Sequence, residues 1–301
     1  MDLSLNEDQQ SLMTALEGLA ARFQTKPIDF RGLALTSDAL DRELAAAEFF
    51  DVAATPELGP VAAVLAVERL ARLPYAAEVG LSMLVRPHLP GGPYPRPLAL
   101  LEPARPGRFV AGARTLLIAD RDRLGLAQPA AGTTEAVDSL FAYPMGRLAG
   151  EVQATPLSPG DALIARSWVR VALCAEAAGL MRAGIDSTVE HLTERKQFGK
   201  PLGTFQALRH RLSECAVLAG GVRWLALKAA STAEPGDAAL AAFHAQQSVA
   251  KVVYDLHQMM GAMGMTLEHP LHLWTYRLKA LTSELGGHGT QALAVAHHCF
   301  A

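Results

Sequence analysis

Cysteine is scarce in this 301-residue chain: Cys174, Cys215 and Cys299 lie far apart and form no CxxC pair. That spacing argues against a zinc site or a disulfide framework and fits a reducing cytoplasm. An excess of one charge is lacking too. Lys and Arg number 27 against 30 Asp and Glu, a net −3, which gives neither nucleic acid nor an anionic membrane a reason to bind. Aromatic residues make up only 6% and charged residues 19%. No apolar run reaches about 18 residues without a charge or a helix breaker, so no membrane span is expected. The opening MDLSLNEDQQ is acidic, without the apolar stretch of a secretory leader. What the chain has in quantity is Ala and Leu. Half of its residues are apolar, which favours a mainly helical fold of one large or a few small domains.

Three textures follow one another. Asn6 is a plausible N-cap, followed by acidic Glu7 and Asp8, and Leu12, Leu16, Leu19, Ala20 and Phe23 recur at helical spacing. Further helices are expected over about 37–50, 59–73 and 76–86, before the Pro-rich stretch 87–97 ends them. From 98 to 159, LALLEP, RFVAGARTLLIAD and RLGLAQ are short apolar runs broken by Gly, Pro and Asp, suited to five or six short strands and too few to close a barrel. From 160 to 301 the chain reads as helical again, over about 161–195, 204–231 and 237–260 and after Gly289, describing a four-helix bundle.

The densest chemistry lies in residues 194–206, ERKQFGKPLGTFQ. Arg195 offers a planar fork of donors suited to phosphate oxygens, and Phe198 a flat face for a ring. A second segment, His257-Gln258-Met259-Met260-Gly261-Ala262-Met263-Gly264, combines an amide with small residues that let backbone approach a dinucleotide. Segment 194–206 resembles the RxxFG…Q signature of the acyl-CoA dehydrogenase family, and 257–264 resembles its QxxGGxG, with Ala262 at the second glycine. The opening LSLNEDQQSLMTAL is similar to the start of many members.

The resemblance implies a mainly α, acyl-CoA dehydrogenase-like fold: an N-terminal helical domain (1–97), a truncated β-rich middle segment (98–159) and the C-terminal four-helix bundle (160–301). It implies FAD as cofactor, its ADP half held by Arg195, Gln197, Phe198, Gln206, Gln258, Gly261 and Thr290. LLEPARPGRF starts like the family's flavin loop but lacks its Gly/Ser-rich continuation, and about 60 residues stand where 100–110 are usual.

No catalytic residue is assigned. The family's base is commonly a Glu in a Glu-Gly-Thr segment. Here the segment reads His288-Gly289-Thr290. The family's alternative base precedes the arginine 25 positions before the RxxFG arginine; here that arginine is Arg170 and the preceding residue is Val169. Imidazole has a suitable pKa, yet His288 lies between glycines in a chain with ten His, and Glu284 is four residues early. No metal site is expected either: His297 and His298 are adjacent and point to different helix faces, and His269 and His272 lack a third ligand. No GxSxG elbow occurs.

These departures imply the smaller, non-catalytic subunit of a bacterial α2β2 acyl-CoA dehydrogenase of the steroid side-chain type. A fuller homologue would supply the Glu, the acyl-CoA pocket and the isoalloxazine site, with electron-transfer flavoprotein as acceptor and the cytoplasm as location. The alternatives are a homomeric flavoenzyme using His288 and a flavin-free scaffold.

Overall fold

The computed structural model describes residues 4–24, 29, 31–120 and 123–300. Helix α1 (Glu7–Gln24) opens with a reciprocal cap: Asn6 Oδ1 accepts from the Gln9 N–H at 2.8 Å, and Gln9 Oε1 accepts from the Asn6 N–H at 3.1 Å. It buries Leu16, Leu19, Ala20 and Phe23, the stripe read from the sequence. Ser37 caps α2 (Asp38–Ala46), which ends early and gives way to a 3-10 turn over Phe49–Ala54. The third helix, α3 (Gly59–Ala71), is buried along most of its length.

The helix expected over 76–86 does not form as an α-helix; a π-turn over Leu81–Val85 and a 3-10 turn over Arg86–His88 stand there. Glu78 is the reason. Its carboxylate accepts the Ser82 N–H, the Ser82 hydroxyl and the Leu98 N–H, taking donors that would otherwise serve regular backbone.

Seven short strands follow, in place of five or six: β1 (Leu98–Leu101), β2 (Gly107–Arg108), β3 (Thr115–Asp120), β4 (Arg123–Ala127), β5 (Thr134–Val137), β6 (Met145–Leu148) and β7 (Thr155–Pro156). Among the described residues they make two small sheets, ordered β1-β3-β4-β7 and β2-β6-β5, that do not close into a barrel. β1 and β3 pair in parallel, Leu98 opposite Thr115, and the other described pairs are antiparallel.

The bundle is built on α4 (Pro159–Glu194), 36 residues or about 54 Å long. Ser158 caps it, and its middle is buried on every side because α3, α5 (Gln206–Thr232), α6 (Pro235–Met260) and α7 (Leu271–Leu281) pack around it. Where α3 crosses α4, a Cβ on Gly179 would stand 2.1 Å from the Glu68 carbonyl oxygen, so only glycine allows the approach. Helix α8 (Gly287–Phe300) closes the bundle against α6. Arg277 on α7 is buried and donates to three backbone carbonyls, of Ala142 (3.0 Å), Leu73 (3.2 Å) and Pro74 (2.5 Å), joining bundle, middle segment and N-terminal helices. No helix among the described residues is long and apolar enough to cross a membrane.

Candidate functional site

Helix α4 stops at Glu194, and Arg195 turns the chain out, its N–H still bonded to the His191 carbonyl at 2.9 Å. A two-residue hairpin follows, β8 (Lys196–Gln197) and β9 (Lys200–Pro201), with Phe198 (φ 52°) and Gly199 (φ 80°) at its tip. Both turn positions need positive φ, which glycine adopts freely and phenylalanine adopts at a cost of order 1 kcal/mol. The turn presents the Phe198 ring outward, 87% exposed, edge-on to Phe205 at 6.1 Å. The hairpin is closed by the Leu202 N–H donating to the Arg195 carbonyl at 2.8 Å. Arg195, Gln197, Phe198 and Gln206 are all exposed. The polar ends of Arg195, Gln197 and Gln206 have no hydrogen-bond partner among the described residues.

Helices α4 and α6 run parallel, so the end of α6 reaches the same end of the bundle. Gly261 stops α6 at φ 57°, ψ −136°, a conformation only glycine adopts comfortably. The chain then folds back so tightly that a Cβ on Gly264 would lie 2.8 Å from Met260 Cβ. His257 anchors this turn. Its Nε2 donates to Thr275 Oγ1 at 2.9 Å, whose hydroxyl is committed to the Leu271 carbonyl at 3.0 Å, and burial holds the imidazole below its usual pKa. Gln258 beside it is exposed and without a hydrogen-bond partner among the described residues. Met263 shares an open groove of about 620 Å³ with His191, Glu194, His269 and Trp274, which places the α6 turn next to the last turn of α4, where the hairpin begins.

Six of the seven expected cofactor residues therefore gather at one end of the bundle. Thr290 does not. It lies on the first turn of α8, next to Gln291, whose Oε1 accepts from Arg170 Nε at 2.7 Å. Arg170 and Arg195 are 25 positions apart on or just past α4, roughly 37 Å along the axis. His288 is exposed on the same turn as Thr290, with no hydrogen-bond partner among the described residues.

The neighbourhood of Val169 holds what the sequence reading missed. Val169 is buried and lines a small pocket of about 20 Å³ together with Glu78, Arg108, Glu176 and Glu284. Arg108 donates from Nε to Glu284 Oε1 (2.5 Å), from Nη2 to Glu284 Oε2 (3.0 Å) and from Nη1 to Glu176 Oε2 (2.8 Å). Glu176 also accepts the Tyr143 hydroxyl at 2.5 Å. The two glutamates hold the Arg108 guanidinium well above its usual pKa, while burial and Glu176 push the Tyr143 phenol up. These groups come from four separate elements, and no local motif announces them. The one available signal was an acid, Glu176, in the apolar middle stretch of α4, between Val171 and Met181.

The histidine pairs read from the sequence separate by function. His269 Nδ1 accepts the Leu271 N–H at 3.2 Å, and His272 Nδ1 faces the His269 carbonyl at 2.8 Å, both serving the start of α7. His297 and His298 are exposed near the end of α8. Among the described residues no group of three or more His, Cys, Asp or Glu is placed to hold a metal ion.

Two small sheets against helical layers, with a cationic hairpin at one end of a bundle, define the class first: this is the fold of the acyl-CoA dehydrogenases. Residues 165–299, a little under half of the chain, match "Acyl-CoA dehydrogenase, C-terminal domain". Acyl-CoA dehydrogenase IpdE2 of Mycolicibacterium smegmatis is 29% identical over 140 residues, 46% of this chain and 45% of that protein. The chain thus matches less than half of that relative's length. The ChsE4-ChsE5 complex from Mycobacterium tuberculosis superposes with a TM-score of 0.76 at 21% identity, covering 99% of both chains. The Tcur3481-Tcur3483 steroid ACAD gives 0.72 at 23%, covering 96% of this chain and 98% of that one. At these identities the structures establish the fold alone.

Proposed function

We propose that the chain is the accessory subunit of a heteromeric, FAD-dependent acyl-CoA dehydrogenase acting on an acyl-CoA thioester, with a steroid side chain as the substrate class. The flavin, when bound, takes the hydride from the acyl β-carbon. This chain's part is to hold the cofactor's ADP half. The unpartnered Arg195 fork suits pyrophosphate oxygens, Phe198 and Gln206 suit the adenosine side, and Gln197, Gln258 and Gly261 complete the wall. The conformation at Gly261 keeps side-chain bulk away from an approaching dinucleotide.

The observation that carries this reading is the contrast between the two ends of the bundle. One end displays free donors and an outward ring. At the other, Val169 and the surface residue His288 stand at the two positions where the family resemblance puts a base, and neither is a carboxylate. Abstraction of the acyl α-proton needs a group oriented over Cα within hydrogen-bond reach, so it falls to a fuller homologous partner. That partner also supplies the isoalloxazine site and most of the acyl pocket, with electron-transfer flavoprotein as acceptor in a cytoplasmic setting. The names of the ChsE4-ChsE5 complex and the Tcur3481-Tcur3483 steroid ACAD support a two-chain assembly and a steroid substrate.

Co-expression with such a partner and quantitation of flavin against protein tests the proposal. One FAD per heterodimer is expected, two per α2β2 tetramer. Flavin approaching one per chain of either type overturns it, and a colourless complex favours a scaffold role.

A further inference from the structure

Resting on the accessory-subunit reading, we propose that Arg108 is a built-in plug. Its guanidinium takes the place of a ligand in this chain's own cleft beside Val169, and it is the residue that keeps that half-site closed to flavin and acyl group.

The geometry is that of a bound cation. Arg108 grips Glu284 through two parallel N–H bonds and Glu176 through a third, and its guanidinium carbon lies 4.7 Å from the centre of the Tyr143 ring. The side chains of Arg108, Glu176 and Glu284 are only 11%, 8% and 15% exposed. A planar fork matched by two carboxylates and an aromatic face is a guanidinium site, and a lysine ammonium cannot reproduce it.

Arg108 is also a dividing wall. Arg108 borders both a 20 Å³ pocket that includes Val169 and a neighbouring pocket of about 210 Å³. Leu100, Arg108 and Glu284 line both. Deleting the Arg108 side chain joins the two spaces into one passage running from the surface to Val169. It also frees Glu284, the carboxylate of the α7–α8 turn, which in the native chain is fully engaged by the arginine. The plug therefore fills the cleft and engages both oxygens of Glu284 at once.

Chemical rescue tests this on the full chain, without reference to flavin. Thermal unfolding of wild type, Arg108→Gly and Arg108→Lys is followed with millimolar methylguanidinium and, as control, methylammonium. Arg108→Gly leaves two buried carboxylates unpaired and should melt roughly 5–15 °C lower. Methylguanidinium should restore at least half of that loss and methylammonium little, and Arg108→Lys should stay well below wild type. An unchanged melting temperature in Arg108→Gly, or equal rescue by both cations, overturns the plug. If Arg108→Gly does not fold with or without methylguanidinium, Arg108→Lys decides, and wild-type stability in it overturns the proposal. Failure of the accessory-subunit reading would appear separately, in the flavin count of the complex.

Discussion

Arg170 Nε donates to Gln291 Oε1 at 2.7 Å, tying the first third of α4 to the first turn of α8. The bond fixes which end of the bundle Thr290 and His288 occupy, and it is the end away from Arg195. Two residues that a linear motif reading assigns to one pocket therefore belong to different faces of the subunit.

The two faces should respond differently to mutation. Arg195→Ala removes a charge-assisted contact to phosphate worth roughly 1.5–3 kcal/mol, so FAD affinity of the complex should fall tenfold to a hundredfold. Its melting temperature should hold, because the exposed side chain has no hydrogen-bond partner among the described residues. Thr290→Ala, which loses only a bond to the Gly286 carbonyl, should leave affinity within about threefold. Fluorescence titration of apo-complex with FAD reads both. Unchanged affinity in Arg195→Ala would show the hairpin to be vestigial.

How far the sequence carried depends on whether the signal was local. The cap at Asn6, the stripe of α1 and the long helices α4 to α6 were legible because spacing and caps lie within a few residues of one another. Helix α7 was not. Leu271, His272, Leu273, Trp274 and Thr275 are all buried, so the segment has no polar face to mark its period. The failed helix at 76–86 turned on the Glu78 carboxylate capturing the Ser82 and Leu98 amides, and the second of those partners is 20 residues away. In the candidate site, Arg195 and Gly261 were readable as motif residues. The Arg108–Glu176–Glu284 cluster spans 176 positions and needed coordinates.

Arg277 should be the costliest single residue to lose. Burial lowers its pKa to about 10, which leaves it charged at neutral pH, and its donors serve three carbonyls from two other parts of the chain. Arg277→Met strands those carbonyls and should cost about 3–5 kcal/mol in denaturant unfolding. Arg277→Lys should recover part of it. A loss under about 1 kcal/mol for Arg277→Met would mean that water replaces the guanidinium at no cost.

His257 should make the stability of the turn after α6 depend on pH. Burial lowers its folded-state pKa below the unfolded value of 6.5, so between the two the unfolded chain binds more protons. Stability is therefore lost as pH falls through 6.5 toward the folded value. His88, His191 and His269 are shifted in the same direction by desolvation, while desolvation raises Glu68, Glu78 and Glu102, which act in the opposite sense. Comparing wild type with His257→Gln cancels those shared terms. The drop in melting temperature from pH 7.5 to pH 6 should be smaller in His257→Gln, and an identical drop would remove His257 from the account.

The chemistry itself turns on His288. An imidazole could accept an α-proton only if it faced a closed, substrate-sized space, and His288 is instead exposed on the first turn of α8. The carboxylate closest to it in sequence, Glu284, has both oxygens bonded to Arg108. Purified alone with added FAD, the chain should show no acyl-CoA dehydrogenase turnover. In the complex, His288→Ala should keep turnover within a few-fold of wild type, whereas removing a true general base costs about 10²–10⁴-fold. A loss beyond a hundredfold, with FAD bound and the assembly intact, would move the base to this chain and make it a catalytic subunit.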